Sequence, residues 1–168
     1  MSRMNTVLHE LAHSVHPDGS EGATRLGRHP LTIIDEVKAE IVYRPLVPSL
    51  LKQGALEGTE EQWAVGMLTT SLQMLKDNPE GDPYYHAAVY TLNALFEEGV
   101  LVKEGEQLRI TDFNYYYEVL KTQSRDVLSL YEDSEMNEQK ASSWIKERCV
   151  PNDKVRQLKI ALDEEKRV

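Results

Sequence analysis

Two histidines and a glutamate near the N-terminus have the types and spacing of a metal-dependent hydrolase. They lie in the segment HELAH at 9–13, in which His9 and His13 are four positions apart. On a helix, side chains at this spacing share one face, so both imidazoles can bind a single metal ion. Glu10 stands between them, where its carboxylate can reach a water molecule at that ion. The pattern is the H-E-x-x-H zinc motif, with two histidine ligands and a glutamate general base.

Two histidines leave a catalytic zinc site incomplete, because such sites use three protein ligands and keep the fourth position for water. The segment DEVKAE at 35–40 offers Glu36 and Glu40, one helical turn apart. Glu36 is the predicted third ligand, and Glu40 is predicted to accept the ring N–H of a ligand histidine and so fix its tautomer. His16, one turn beyond His13, is an alternative third ligand. A glutamate pair at this spacing is also common on charged helix surfaces.

The elements that would position these residues are mostly helices. Apolar periodicity predicts a first helix of about 14 residues from Ser2, buried on much of its circumference. A glycine-containing polar loop at 19–30 leads to a second helix, which begins near Leu31 and is disrupted at Pro45 and Pro48. Five further helices are predicted over 59–77, 84–98 and 112–131, around Trp144, and after Pro151. A small β-hairpin is predicted at 100–110.

Length and charge restrict the classes of function. The chain has 168 residues, with 28 acidic against 19 basic side chains and a net charge of −9, which disfavours a nucleic-acid partner. No apolar run approaches the roughly 20 residues that span a membrane, and the N-terminus is not typical of a signal peptide. The single cysteine, Cys149, cannot form an intramolecular disulfide, which favours a cytoplasmic location. We expect a helical catalytic domain at 1–131 and a charged helical C-terminal extension at 132–168.

The two motifs resemble those of the gluzincin zinc metallopeptidases, in which H-E-x-x-H is followed by a helix with a glutamate ligand. The segment at 35–40 is most similar to the dipeptidyl-peptidase III family, whose motif has two adjacent acids, two variable residues, alanine and glutamate. The resemblance covers residues 7–43 and, more loosely, 84–101. It implies that Glu36 binds zinc and that Glu40 supports a histidine. The family also has a catalytic histidine near the position of Tyr84 or His86.

The chain departs from that family in three respects. The family has one more residue between its zinc histidines, a longer loop between the motifs, and a whole lobe before the zinc helix. Here only eight residues precede His9. Zinc peptidases usually hold peptides against a strand that precedes the zinc helix, and none is predicted here. Either the 100–110 hairpin takes that role, or the substrate lobe is missing because the chain is a fragment or works with a partner, such as a second copy in a homo-oligomer.

Together, these patterns predict a mainly α, zincin-like helical domain with a small β-hairpin. The predicted function is a peptidase that uses Zn²⁺ and takes a peptide as its substrate, with no nucleic-acid or membrane partner. The predicted metal ligands are His9, His13 and Glu36, and Glu10 is the predicted base. Tyr84 and His86 are candidates for the donor that polarises the scissile carbonyl. The alternatives are a non-catalytic helical interaction domain with a structural or decayed zinc site, and a hydrolase of small amides.

Overall fold

The fold is mainly α-helical with one small hairpin, as predicted. A computed structural model describes residues 2–15 and 19–165. The helices in this part of the chain are α1 Ser2–His13, α2 Gly19–Leu26, α3 Arg28–Val42, α4 Val47–Lys52, α5 Glu60–Asp77, α6 Pro83–Glu97, α7 Phe113–Glu132, α8 Glu138–Arg148 and α9 Asp153–Glu165. Strands β1 Leu101–Glu104 and β2 Gln107–Ile110 pair antiparallel, with Leu101 opposite Ile110. A 3₁₀ turn at Arg44–Leu46 joins α3 to α4.

Local capping explains the predicted boundaries of α5 and α6. The Thr59 hydroxyl accepts from the backbone N–H of Gln62, whose side chain accepts from the backbone of Thr59, which is a capping box at the start of α5. Asp82 caps α6, and Pro83 occupies its first turn. Gly99 follows α6 with φ of 67°, a conformation that favours glycine and ends the helix.

The prediction of a polar loop at 19–30 was wrong, because most of this segment forms α2 and the start of α3. Gly22, which was predicted to lie in this loop, instead lies where α2 meets α7. A Cβ atom at Gly22 would stand 2.4 Å from the carbonyl oxygen of Tyr131. The same carbonyl accepts a hydrogen bond of 2.8 Å from the Arg25 guanidinium. The glycine therefore allows α2 and α7 to approach closely. This contact cannot be predicted from the sequence of α2 alone.

Helix α1 lies on the surface, so the prediction that it is buried on much of its circumference was wrong. Val7 and Leu11 are 51% and 60% exposed. Only the face that carries His9 and Ala12, which are 7% and 3% exposed, packs against α3. The two histidines of the motif, His9 and His13, therefore lie on the side of α1 that faces α3, Glu10 is exposed, and an apolar stripe remains on the outer face.

Helix α3 lies at the centre of the molecule and packs against α1, α6, α7 and α8. The C-terminal helices α8 and α9 add Ala141, Ile145, Val155 and Leu158 to the same hydrophobic core. A domain division at 131/132 stays a prediction. Within the described ranges, no helix combines the length and the apolar character needed to cross a membrane.

Cys149, which follows α8, is 1% exposed and has a free thiol. Burial raises the pKa of this thiol, and the charge of Asp126 adds to the effect. We expect a thiol reagent at pH 8 to react with the native protein roughly 100-fold or more slowly than with the unfolded chain. The control is the same reaction in denaturant at the same pH. Equal rates in the native and unfolded protein would contradict this placement of Cys149.

Candidate metal centre

Three potential ligand atoms from α1 and α3 converge at one point. His9 Nε2 lies 3.1 Å from His13 Nε2 and 3.4 Å from Glu36 Oε2, and His13 Nε2 lies 3.7 Å from Glu36 Oε1. Ligand atoms 2.0–2.1 Å from a tetrahedral zinc ion lie about 3.3 Å from one another. The three observed separations bracket that value, so the three side chains can contact one ion with little rearrangement.

The other nitrogen of each imidazole lies beside a carboxylate. His9 Nδ1 is 2.8 Å from Glu40 Oε1, and His13 Nδ1 is 2.7 Å from Asp35 Oδ2. Since an ionised carboxylate only accepts hydrogen bonds, these partners favour a proton on each Nδ1 and leave the Nε2 lone pairs facing Glu36. Oε2 of Glu36 is itself buried, and its separation of 3.4 Å from His9 Nε2 allows at most a weak hydrogen bond. Three electron-pair donors thus face one another, an arrangement that a cation stabilises.

The electrostatics of His9 also favour binding of a cation. Hydrogen bonding to Glu36, then to Glu40, raises the pKa of His9 to about 9, although burial of the ring opposes the shift. Without a metal ion, the site therefore attracts a proton to this imidazole at neutral pH. A metal ion and that proton compete for the same lone pair. The residues present consequently fit a divalent cation with nitrogen and oxygen ligands, for which zinc is the usual choice.

A buried network holds Glu40 beside His9. The second oxygen of Glu40 accepts a short hydrogen bond from Arg44, and the guanidinium also donates to Ser71 Oγ at 3.0 Å. Arg44 is fully buried and Glu40 is 4% exposed. Burial alone would raise the pKa of Glu40, but the Arg44 charge and the His9 hydrogen bond lower it below its usual range. Glu40 therefore stays ionised and can orient His9.

A second network holds Asp35 beside His13. Lys38, whose side chain is fully buried, lies 2.6 Å from Asp35 Oδ1 and donates to the carbonyl oxygen of His13 at 3.0 Å. Tyr131 donates to the same Asp35 oxygen at 3.4 Å. Burial acts to raise the pKa of Asp35, but the hydrogen bond and charge of Lys38 lower it. Asp35 is thus an ionised acceptor for His13.

A pocket of about 330 Å³ opens beside His9, and both Glu10 and Tyr84 line it. The Tyr84 ring lies 6.2 Å from the His9 ring, measured between centroids. Burial, followed by the negative charges of Glu36 and Glu10, raises the pKa of Tyr84, so its phenol remains a hydrogen-bond donor. Helix α5 contributes Thr70, Gln73 and Met74 to the wall. The predicted base and one predicted donor therefore share a pocket at the metal centre.

The structure does not bring His86 to this centre. His86 Nδ1 lies 3.2 Å from the carbonyl oxygen of Cys149. Residues two positions apart on a helix point in nearly opposite directions, so Tyr84 and His86 cannot both face α1. The prediction that His86 polarises the carbonyl therefore finds no support in the geometry. His16, the alternative third ligand, lies outside the described residues.

The hairpin also lies away from the pocket. It follows the C-terminal end of α6, while Tyr84 is in the first turn of that helix. The rise of an α-helix puts the two ends of α6 roughly 20 Å apart. None of the residues that line the pocket belongs to the 100–110 segment. The hairpin is therefore poorly placed to hold a substrate over Glu36.

The residues that sequence reasoning missed are those that hold the supporting carboxylates. Asp35 was part of the recognised acidic motif, but no partner was assigned to it. Lys38 pairs with Asp35 three positions earlier on α3, Arg44 pairs with Glu40 four positions earlier, and Tyr131 reaches Asp35 from α7. The available sequence signal is the spacing, because a basic residue three or four positions after an acidic one lies beside it on a helix.

Comparison with known proteins identifies the fold. No protein-family model matches the chain, and no curated protein matches it. Among solved structures, DPP III from Caldithrix abyssi has a similar fold, with a TM-score of 0.78 and 14% sequence identity. The match covers 95% of this chain and 32% of that chain. This chain therefore spans about a third of the length of the DPP III structure, and the likeness establishes a shared fold.

Proposed function

We propose that the chain forms the zinc-binding catalytic part of a metallopeptidase. The observation that carries this proposal is the convergence of His9, His13 and Glu36, with atoms 3.1–3.7 Å apart and a carboxylate behind each imidazole. Two nitrogens and one oxygen form a typical ligand set of catalytic zinc. The fold shared with DPP III supports the proposal, since the two motifs of this sequence resemble those of the same family.

When bound, zinc supplies Lewis acidity that polarises a carbonyl group and acidifies water. Glu10 lines the pocket and is exposed to solvent, so its carboxylate accepts a proton from the attacking water. The water oxygen forms a bond to the scissile carbon, the C–N bond breaks, and Glu10 passes the proton to the leaving amine. The Tyr84 phenol donates a hydrogen bond to the oxygen that gains negative charge.

Zinc binding tests the proposed ligand set directly. We expect Glu36→Ala to weaken zinc binding by more than the roughly 10–100-fold that loss of a supporting residue causes. The measurement is competition with a chromophoric chelator, and the matched control is Glu21→Ala, an exposed glutamate on α2. Unchanged zinc affinity in Glu36→Ala, with the fold confirmed by circular dichroism, would contradict the proposed site.

The exposed apolar stripe of α1 favours a second candidate, a non-catalytic interaction domain with a structural zinc ion. The stripe consists of Met4, Val7 and Leu11 on α1 together with Val15 just after it, and these residues are 38–60% exposed. A second copy of the chain or a separate N-terminal lobe could cover it. The two candidates differ in one measurable property, since both bind zinc but only the peptidase depends on Glu10.

A further inference from the structure

A second pocket, of about 370 Å³, lies between α6, α7 and the end of α8. It shares no lining residue with the pocket at the metal centre. Its wall carries one guanidinium, Arg148, against five carboxylates, which belong to Glu97, Glu98, Glu118, Asp126 and Glu147. Such a concentration of negative charge raises the local concentration of cations.

An unpartnered acceptor accompanies this charge. Gln123 lines the pocket and is only 5% exposed. Its Nε2 donates to the Tyr90 carbonyl oxygen at 2.7 Å, which fixes the orientation of the amide. Its Oε1 is buried and has no hydrogen-bond partner in the part of the chain that the structure describes. An unpaired buried acceptor is costly, so a ligand with an N–H donor would stabilise it.

Asp126 is a second acceptor, and its position is fixed. Tyr90 donates its hydroxyl to Asp126 Oδ2 at 2.9 Å, and the Trp144 indole donates to the same oxygen at 3.3 Å. The Tyr90 and Trp144 rings pack with their centroids 5.1 Å apart. Ala94 and Val119 add apolar surface to the pocket. The pocket thus combines an apolar wall with acceptors and negative charge.

We propose that this pocket binds a primary alkylammonium group. Its N–H donors match the acceptors of Gln123 and Asp126, its charge matches the five carboxylates, and an aliphatic chain matches the apolar wall. Two sources carry this group, a free polyamine and the lysine side chain of a peptide. The proposal is independent of the metal centre, and chelation of zinc leaves it unchanged.

The Trp144 indole is a local probe because its N–H donates to Asp126, which lines the pocket. The Trp63 indole donates to the Glu57 carbonyl oxygen, so it serves as an internal control. In ¹H–¹⁵N spectra, with the signals assigned by Trp144→Phe, we expect spermidine, cadaverine or Nα-acetyl-lysine methylamide to shift the Trp144 signal saturably. Pentan-1-ol, which is neutral, should not shift it. No saturable shift with any of the three amines would overturn the proposal.

Variants separate a specific pocket from general attraction between charges. We expect Gln123→Met to weaken amine binding roughly tenfold, the loss of one hydrogen bond to a charged group. Glu118→Gln, at an exposed position, should weaken it several-fold, whereas Glu132→Gln on the same helix should have no effect. Equal losses in Glu118→Gln and Glu132→Gln would overturn the proposal. Tighter binding of spermidine than of the lysine compound identifies a free polyamine, and the reverse order identifies a lysine side chain.

Discussion

Replacement of Glu10 by glutamine is expected to lower kcat for peptide hydrolysis by about 10²–10⁴-fold, the usual contribution of a general base. Glutamine has nearly the shape of glutamate but cannot accept the proton of the attacking water. Glu10 is not among the converging ligand atoms, so the variant should still bind zinc. The measurement is turnover of a short fluorogenic peptide by zinc-loaded protein, with zinc content determined by elemental analysis.

The matched control is Glu21→Gln, an exposed glutamate outside the pocket, which should keep the activity of the wild type. Unchanged turnover in Glu10→Gln would remove Glu10 from the mechanism and leave the metal site intact. A wild-type protein that binds zinc but hydrolyses no peptide would support the interaction domain with a structural zinc ion. Hydrolysis of small amides without hydrolysis of peptides would support the third alternative.

The convergence of His9, His13 and Glu36 could be predicted from sequence in part, because helical periodicity places the members of each motif on one helix face. Residues 9 and 13, and residues 36 and 40, each lie one turn apart, so the pattern of residue types defines two helix faces. The structure brings these faces together where α1 packs on α3. The prediction therefore rested on the spacing within each helix, and the packing of α1 on α3 brings the two faces together.

Other features depend on contacts that sequence spacing does not encode. Gly22 indicated a loop, yet its lack of a side chain serves the contact of α2 with α7. His86 was predicted at the site because it begins a helix, but its direction depends on how α6 is rotated relative to α1. The partnership of Asp35 with His13 depends on the same packing. Long-range arrangement, rather than local propensity, decides each case.

The substitution Arg44→Met is expected to lower the free energy of unfolding by about 3–5 kcal/mol, because it leaves a buried carboxylate without its cation. The effect is expected to be large because Arg44 and Glu40 are both buried and are joined by a short hydrogen bond. Urea denaturation of the zinc-free protein measures the change. Arg28→Met, at an exposed position of α3, is the control and should stay within about 0.5 kcal/mol of the wild type.

The double variant Glu40→Leu/Arg44→Met tests why the ion pair is present. Replacing a whole buried pair by apolar residues is often neutral, so we expect the double variant to be more stable than Arg44→Met alone. Its zinc affinity should nevertheless fall about 10–100-fold, because His9 Nδ1 loses the carboxylate 2.8 Å away. A double variant no more stable than Arg44→Met would contradict this expectation, because the loss would then not come from the unpaired charge of Glu40. Recovered stability with weakened zinc binding would assign the pair to the orientation of His9.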